Sequence, residues 1–210
     1  MNVRLRTRLA RNNEMECDPS QLQAFAIALR RLAPVSDEAL RAMTSLIEPR
    51  QFEASSFLLE AGQRATWCFH VVEGLVRELY IDEQGDEHTR AFIDRGRLTG
   101  SLLDLLSDQP SVTWVQALEP TVTLAWRFAE FDALCADWPD LNMLARRAAE
   151  AVYVRKARRE YQLLAQSAAE RYARWCTENA ALDGRIPKRI LASYLGITPE
   201  HLSRLRRPRP

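Results

Sequence analysis

The sequence predicts an α+β protein in which a β-roll or jelly-roll barrel with flanking helices is followed by a long helix and a helix-turn-helix domain. Three observations lead to this prediction. Glycines at positions 62, 74, 85 and 96 follow one another at intervals of 12, 11 and 11 residues, with short β-rich runs between them. Residues 140–165 contain neither glycine nor proline. The segment KRILASYLGITPEHLSRLRR, at 188–207, has a glycine between two helical patterns.

The N-terminal part is predicted to be helical after a short tail. Residues 1–20 are basic, and we predict a disordered tail there. Residues 20–48 have the composition of helices interrupted at Pro34. Ser36 is suited to cap the helix that follows, because acidic residues come directly after it, in the first turn, where the helix dipole favours negative charge.

Residues 50–128 are predicted to form the barrel, within a domain of residues 21–135. Five of the seven glycines lie here, and β-rich runs such as TWCFHVV, LVRELYI and VTLAWRF alternate with turn residues. Short strands separated by turns about every 8–12 residues are typical of a compact barrel or sandwich. Glycine is favoured at such turns because it tolerates a positive φ.

Residues 136–166 contain the predicted long helix, which carries an apolar stripe at helical spacing. The stripe consists of Leu141, Leu144, Ala148 and Val152. Spacing alone allows two interpretations. The stripe packs on the barrel of its own chain, or it pairs with the same helix of a second copy, which would make this a dimerisation helix. Small residues in the stripe would let two helices approach closely.

The last predicted domain, residues 167–210, meets the packing demands of a helix-turn-helix. Ala192 is the small residue that lets the two helices approach each other. Gly196 supplies the residue for the tight turn, since it tolerates a positive φ. Thr198 can cap the second helix, and Pro199 fits the first position of that helix.

The second helix of this motif carries side chains suited to double-stranded DNA. Recognition helices contact bases through residues near their N-terminus, and the candidates here are Glu200, His201, Ser203 and Arg204. Arginine bonds guanine at two positions, and glutamate accepts from the amino group of cytosine. The expected phosphate contacts are Arg185, Lys188, Arg189, Thr198, Arg206 and Arg207. Residues 183–210 hold seven Lys or Arg and two Asp or Glu, so a chain of net charge +1 has a basic end.

The composition narrows the class of protein further. Of 210 residues, 47% are hydrophobic and 27% are charged, which is ordinary for a soluble globular chain. No apolar run approaches the roughly 20 residues that cross a bilayer, and the N-terminus lacks the apolar core of a secretory signal. The four cysteines and three histidines are scattered without metal-ligand spacing. We therefore expect a cytoplasmic protein with no metal, no cofactor and no membrane partner.

The order of these elements resembles the Crp/Fnr superfamily of bacterial transcription regulators, and RIPKRILASYLGITPEHLSRLRR is the most specific part of the resemblance. It covers roughly residues 22–207. It implies a sensory barrel of the cyclic-nucleotide-binding type, a homodimer joined through the long helix, and a DNA-binding domain. In that family an E-x-x-S-R recognition helix contacts a half-site of the TTGA kind, and the matching residues here are Glu200, Ser203 and Arg204.

The ligand-binding part of the barrel departs from that family. Members of that family that bind cyclic AMP share a phosphate-binding cassette, which is G-E-L followed about ten residues later by R-S-A. Its glutamate holds the ribose hydroxyl, and its arginine pairs with the cyclic phosphate. The corresponding residues here are Gly100, Ser101, Leu102, Ser111 and Val112. A buried phosphodiester would have no cation to compensate its charge. We therefore expect that the barrel does not bind cyclic AMP.

Three functions are compatible with the sequence. The first is a homodimeric, sequence-specific DNA-binding transcription regulator of Crp/Fnr type that does not depend on cyclic AMP, with RNA polymerase as a further candidate partner. The second is a regulator gated by an unidentified small-molecule effector in the β-roll. The third is a cupin-like small barrel enzyme. The sequence has no paired carboxylates, metal-ligand spacing or nucleophile with a base, so we do not expect an enzyme.

Overall fold

The computed structural model describes residues 17–107 and 109–207. These residues form two compact units. The first contains the residues up to Glu78 together with Phe92–Glu150, and the second contains Leu79–Ala91 together with the residues from Ala151 onward. The second unit is therefore discontinuous in sequence, and it includes a hairpin that the glycine spacing assigned to the barrel domain. Of the predicted tail, residues 1–16 lie outside the described residues, and its last two residues are already helical.

The first unit begins with the two helices that the sequence predicts. Helix α1 spans Pro19–Arg30 and helix α2 spans Asp37–Thr44. Ser36 caps α2 as expected, because its hydroxyl accepts a backbone N–H of the first turn at 3.2 Å. The same hydroxyl donates to the carboxylate of Asp140 at 2.7 Å. This hydrogen bond fixes the start of α2 against the start of the long helix.

Eight strands in the described residues form two four-stranded sheets, with the orders β1-β8-β3-β6 and β2-β7-β4-β5. The strands are β1 Glu48–Phe52, β2 Phe57–Leu59, β3 Trp67–Glu73, β4 Leu75–Ile81, β5 Glu87–Asp94, β6 Leu98–Thr99, β7 Trp114–Ala117 and β8 Thr121–Arg127. Two further helices lie beside them, α3 at Leu102–Leu106 and α4 at Phe128–Asp137. The predicted region of short strands is confirmed, although its sequence did not predict α3.

Strand β8 separates two hydrophobic clusters of the first unit. Successive side chains of a strand lie on opposite faces of the sheet. Leu124 and Trp126 accordingly belong to the cluster that α1 and α2 cover, whereas Ala125 belongs to a second cluster with Phe52 and Phe69. All of these side chains are buried. The alternation explains why a strand that is apolar along most of its length can sit at the centre of this unit.

The long helix α5 spans Pro139–Ala165, close to the predicted range. Leu141 and Leu144 are 0% and 3% exposed and belong to the larger hydrophobic cluster of the first unit. Ala148 and Val152 are half-buried. The burial of the two leucines within one chain favours the alternative that they pack on the chain's own barrel, and a dimer interface on this helix stays a prediction.

The second unit contains the C-terminal part of α5, the hairpin between β4 and β5, and the predicted helix-turn-helix. Its remaining elements are α6 at Ala168–Glu178, a 3₁₀ turn at Ala180–Leu182, α7 at Lys188–Leu195 and α8 at Pro199–Arg206. Their buried apolar side chains are Trp175, Leu182, Ile186, Leu191, Ala192, Leu195 and Leu202. Ala192 is fully buried, as a close approach of α7 and α8 requires.

The turn between α7 and α8 is built as the sequence predicts. Gly196 has φ +66° and ψ +40°, in the left-handed region. The N–H of Ile197 donates to the carbonyl of Ala192, and the N–H of Gly196 donates to the carbonyl of Ser193, both at 3.1 Å. These are the two hydrogen bonds of a Schellman motif. Thr198 caps α8 with its side-chain oxygen, and a proline occupies the first position of that helix.

Helix α7 also contacts the β4–β5 hairpin within the second unit. The hydroxyl of Ser193 donates to the carbonyl of Glu87 at 2.5 Å and accepts the N–H of Thr89 at 2.9 Å. Strand β5 is an edge strand, whose outer backbone groups have no neighbouring strand. The serine therefore satisfies two edge groups of the hairpin, which explains why the hairpin belongs to the same unit as α7.

Candidate functional site

Helix α8 presents its four candidate base-contacting residues in two ways. Glu200 and Arg204 are exposed, and a spacing of four residues puts them on one face of the helix. His201 and Ser203 are half-buried. The hydroxyl of Ser203 donates to the carbonyl of Pro199 at 2.8 Å, so it must give up this bond before it can donate to a base. Glu200 and Arg204 are the two candidates that need no such exchange.

Glu200 is held in its charged form. Its own backbone N–H and the hydroxyl of Thr198 keep the pKa of Glu200 below its usual value, and the positive charges of Lys188 and Arg204 act in the same direction. An ionised carboxylate only accepts hydrogen bonds. Glu200 can therefore receive the amino group of cytosine but cannot donate to a base carbonyl.

The predicted phosphate-contacting cations surround α8 and are exposed. They are Arg185, Lys188, Arg189, Arg206 and Arg207. Arg206 lies 3.5 Å from the carboxylate of Asp183, and an exposed pair of this kind contributes little free energy. The hydroxyl of Thr198, in contrast, is engaged as the cap of α8. The exposed side chains of these cations can be approached by a polyanion, whereas Thr198 has a structural role that a phosphate contact would have to accommodate.

The barrel segment after β6 has a tightly constrained backbone. Gly100 has φ +137°, and a Cβ atom at this position would lie 2.6 Å from the carbonyl oxygen of Trp67, so a side chain does not fit. Ser101 follows with φ +52°, a conformation that non-glycine residues rarely adopt. It is 2% exposed and leads directly into α3, where Leu102 is half-buried. The strained turn thus brings the Ser101 side chain into the interior.

A buried carboxylate, Asp104, lies among the hydroxyl groups of this segment. The hydroxyl of Ser111 donates to Asp104 at 2.7 Å and accepts the N–H of Thr113 at 2.9 Å, while Ser101 donates to the hydroxyl of Thr113 at 3.1 Å. Burial acts to raise the pKa of Asp104, but the hydrogen bonds from these hydroxyl groups outweigh it and hold the pKa below its usual value. The side chain of Val112 is 59% exposed, and this residue contributes only its backbone N–H, which donates to Asp104.

The negative charge of Asp104 disfavours the binding of an anionic ligand beside these hydroxyl groups. Asp104 is 3% exposed and ionised, so a phosphate placed beside Ser101 and Ser111 would meet a negative charge where it needs a cation. The absence of the cassette arginine is visible in the sequence, whereas the burial of Asp104 beside the cassette is not. The only signal in the sequence was an aspartate in the otherwise apolar run LLDLL, where burial of a charge is unexpected.

The two side chains of strand β3 that could bind a metal ion or react, His70 and Cys68, have pKa values shifted by burial. His70 is 4% exposed beside the ring of Phe25, and burial lowers the pKa of His70 to about 4. Burial also raises the pKa of the Cys68 thiol to about 12. No group of three His, Cys, Asp or Glu side chains is arranged to hold a metal ion in the part of the chain that the structure describes. Among the same residues, no helix is both long and apolar enough to cross a bilayer.

Several known proteins resemble this chain in sequence or in fold. The family model described as "Cyclic nucleotide-binding domain" matches residues 49–137. The cAMP-activated global transcriptional regulator CRP of Salmonella typhimurium is 26% identical over 110 residues, which are 52% of this chain and 52% of that protein. Among solved structures, FixK2 from Bradyrhizobium japonicum has a TM-score of 0.66 at 20% identity and covers 76% of this chain and 82% of its own. The c-di-GMP responsive regulator CLP from Xanthomonas campestris has a TM-score of 0.65 at 14% identity, covering 81% and 89%.

The barrel match and the shared architecture relate the chain to these regulators. Residues 49–137 match the cyclic nucleotide-binding domain, and the fold is shared with FixK2 and CLP. The chain spans about half the length of the curated relatives that it matches. The predicted fold class and the predicted resemblance to the Crp/Fnr superfamily are confirmed. Within the Crp/Fnr fold, the matched range 49–137 includes the whole cassette, so the replacements at Ser101 and Ser111 lie in the nucleotide-binding domain itself.

A second apolar stripe of α5, in the second unit, was not recognised in the sequence. It consists of Val154, Ala157, Tyr161 and Leu164, separated by three, four and three residues. Val154, Tyr161 and Leu164 are 45%, 62% and 80% exposed, and Ala157 is exposed as well. At about 100° per residue, this stripe lies on the side of the helix opposite the buried leucines. Helix α5 therefore has one buried apolar face and one exposed apolar face.

Proposed function

We propose that this protein is a homodimeric, sequence-specific DNA-binding transcription regulator of the Crp/Fnr type whose activity does not depend on cyclic AMP. The observation that carries the proposal is helix α8, which is capped at Thr198 and presents an ionised Glu200 and an exposed Arg204 on one face. The similar CRP protein is named a transcriptional regulator rather than an enzyme, which supports the same proposal.

The two exposed side chains of α8 supply complementary base contacts. The guanidinium of Arg204 can donate two parallel hydrogen bonds to the O6 and N7 atoms of guanine. The carboxylate of Glu200 can accept the N4 amino group of cytosine on the same groove edge. Opposite charges four residues apart on a helix also attract each other, so Glu200 helps to orient Arg204 before DNA arrives.

The surrounding cations position the helix without selecting a sequence. Lys188 and Arg189 begin α7, and Arg206 and Arg207 end α8, so both ends of the motif carry positive charge. Each phosphate contact releases counterions, which makes binding sensitive to salt for every DNA sequence. Contacts of this kind fix orientation, whereas the contacts of Glu200 and Arg204 discriminate between bases.

The free stripe of α5 is the proposed dimer interface. Separations of three, four and three residues are those of the a and d positions of a coiled coil, which suit a parallel second copy of the same helix. The stripe at Val154, Ala157, Tyr161 and Leu164 replaces the stripe that the sequence suggested, whose leucines are buried. Two copies would present two α8 helices to two half-sites, and the DNA site should then be a palindrome.

The cassette supports independence from cyclic AMP. Asp104 and the hydroxyl groups of Ser101 and Ser111 already satisfy one another. A cyclic phosphate would have to break this network and would face a carboxylate without any matching cation from Ser111 or Val112. Desolvation of the phosphate would then be uncompensated.

Selection of bound fragments from a random DNA pool tests the proposed function. We expect a palindromic site whose half-site centres lie about 34–36 Å apart, or a multiple of that distance. Arg204→Ala should lower affinity for the selected site by about 1–3 kcal/mol and abolish preference at one base pair of each half-site. Arg207→Ala is the matched control, since it should weaken all sequences equally and reduce the salt slope by about one. An equal loss on random and selected DNA in Arg204→Ala would contradict the base contact.

Light scattering tests the dimer interface separately. Leu164→Glu places a charge at the most exposed residue of the free stripe and should produce monomers with much weaker binding to palindromic DNA. Lys156→Glu introduces the same side chain on another side of α5 and should leave the dimer intact. A Leu164→Glu variant that remains dimeric would exclude this stripe as the interface.

A further inference from the structure

The carboxylate of Asp104 joins two segments of the barrel that are separate in sequence. The groups that form hydrogen bonds with it are three hydroxyl groups and one backbone N–H, those of Ser101, Ser111, Thr113 and Val112 in that order. Ser101 directly precedes α3, which contains Asp104, whereas the other three directly precede β7. One side chain therefore holds α3 against the segment that leads into β7.

The second of these segments is itself fixed to another part of the barrel. The N–H of Ser111 donates to the carbonyl of Gln63, and the N–H of Gly62 donates to the carbonyl of Ser111, both at 2.8 Å. Residues 62 and 63 lie in the connection between β2 and β3. Through Ser111, the carboxylate of Asp104 thus ties α3 to this connection as well.

The carboxylate is charged and shielded from solvent. Ser101, Asp104, Ser111 and Thr113 are 2%, 3%, 3% and 0% exposed. Burial acts to raise the pKa of Asp104, but the hydrogen bonds lower it by more than burial raises it. Neutral donors that converge on charged oxygens form strong hydrogen bonds and so replace a cation. The network is therefore a complete anion site whose anion is part of the chain.

The backbone before α3 depends on the same residue. Ser101 has φ +52°, and its carbonyl accepts the N–H of Asp104 at 2.9 Å and that of Leu105 at 3.0 Å. A non-glycine residue keeps such a conformation only where the surrounding contacts fix it. Asp104 contacts Ser101 through its backbone and through its side chain, so it holds the strained residue in two ways.

We propose that Asp104 is a built-in ligand, an anion supplied by the chain itself that keeps the cassette segments ordered without an effector. Ser101 and Ser111, which contact it, occupy cassette positions within the range 49–137 that matches the cyclic nucleotide-binding domain. A free anion would have to displace a group that is attached to the chain and therefore present at high effective concentration. DNA binding should then need no small-molecule effector in the barrel, a consequence that rests on the proposed function.

The full chain without DNA tests the built-in ligand. Asp104→Ala removes a carboxylate group, and formate is that group as a free anion. Sodium formate is titrated at neutral pH against sodium chloride of equal ionic strength, and the melting temperature is measured. Asp104→Ala should melt at a lower temperature than the original chain, and formate, but not chloride, should restore part of the loss in a saturable manner.

A matched control accompanies this measurement. Asp132 is exposed on α4 of the same unit, so Asp132→Ala removes the same group from the surface. Neither Asp132→Ala nor the original chain should respond to formate more than to chloride. An Asp104→Ala variant that gains nothing from formate beyond the effect of chloride would overturn the proposal.

A second variant decides the question if the alanine variant does not fold. Asp104→Asn keeps the shape of the side chain, but its neutral amide turns an N–H toward groups that already donate. We expect a lower melting temperature than that of the original chain and no recovery with formate, because the amide fills the position of the carboxylate. An asparagine variant that melts with the original chain would show that the charge is not needed and would reject a built-in anion.

DNA binding provides an independent measurement. A palindromic fragment selected by the original chain is titrated with that chain and with Asp104→Ala, in formate and in chloride. The original chain should bind equally in both salts, whereas Asp104→Ala should bind about fivefold or more weakly in chloride and recover in formate. Equal affinity of both proteins in chloride would make Asp104 a structural contact only and refute its role in place of an effector. An original chain that selects no DNA would refute the proposed function instead, and the melting temperatures would still decide on the anion.

Discussion

The buried histidine of β3 should make the first unit less stable as the solution becomes acidic. Burial lowers the pKa of His70 from its ordinary value of 6.5 to about 4. The unfolded chain takes up a proton as the pH falls through 6.5, but the folded chain does not until about pH 4. Between these values the unfolded state binds more protons, so protonation favours unfolding. The free energy of unfolding is therefore highest above pH 6.5 and decreases as the pH falls toward 4.

The size of this effect follows from the two pKa values. The difference between them corresponds to about 3 kcal/mol once the pH reaches 4, and to about 1.4 kcal/mol at pH 5.5. A typical domain has a free energy of unfolding of about 5–15 kcal/mol. The protonation of His70 alone is therefore large enough to be measured in a denaturation experiment.

The assay is urea denaturation of the original chain and of His70→Gln at pH 7.5, 5.5 and 4.5, followed by tryptophan fluorescence. Trp126 lies against Phe25 in the same cluster as the histidine, which makes this signal a report on the first unit. The free energy measured at pH 7.5 gives the cost of the substitution itself. Relative to that value, His70→Gln should lose about 1.4 kcal/mol less than the original chain at pH 5.5. An equally steep loss in both proteins would refute the assignment to His70.

Four further predictions concern the first unit. Leu144→Ala should lower the free energy of unfolding by about 2–5 kcal/mol in denaturant titrations, because Leu144 is 3% exposed in the core. Gly74→Ala should cost about 2–5 kcal/mol in the same titration, since its Cβ would lie 2.4 Å from the Oγ1 atom of Thr121 and φ is +103°. Asp104→Ala should cost about 1–3 kcal/mol by removing the buried acceptor that the hydroxyl groups of Ser101, Ser111 and Thr113 share. Calorimetry should show no submicromolar binding of cyclic AMP, and tight binding with one molecule per chain would contradict the charge argument.

The helix-turn-helix could be predicted from sequence because its signals act over a few residues. A left-handed turn needs Gly196, a helix start favours Thr198 with a proline after it, and close helices need Ala192. Each requirement is visible in a stretch of eight residues, ASYLGITP. The barrel was predictable for a related reason, since its turns recur at nearly constant intervals and require glycine.

The faces of α5 and the contents of the cassette could not be predicted in this way. Both stripes of α5 are apolar with helical spacing, and only the covering by α1, α2 and β8 decides that Leu141 and Leu144 are buried. Asp104 is similar, because its burial depends on hydroxyl groups that α3 and the start of β7 bring together. The hydrogen bond between Ser193 and Glu87 joins positions 106 apart in the sequence. No local pattern indicates contacts of this kind.

The discontinuity of the second unit has a consequence for synthesis on the ribosome. The hairpin Leu79–Ala91 leaves the exit tunnel well before Ser193 has been translated, so its edge strand spends that interval without the serine that later satisfies it. An exposed edge of this kind is open to pairing with other nascent chains. Fragments are affected as well. A piece that begins at Ala151 contains both helices of the helix-turn-helix but lacks the strand with which α7 forms hydrogen bonds. A shortened protein made for DNA-binding work should therefore retain the hairpin.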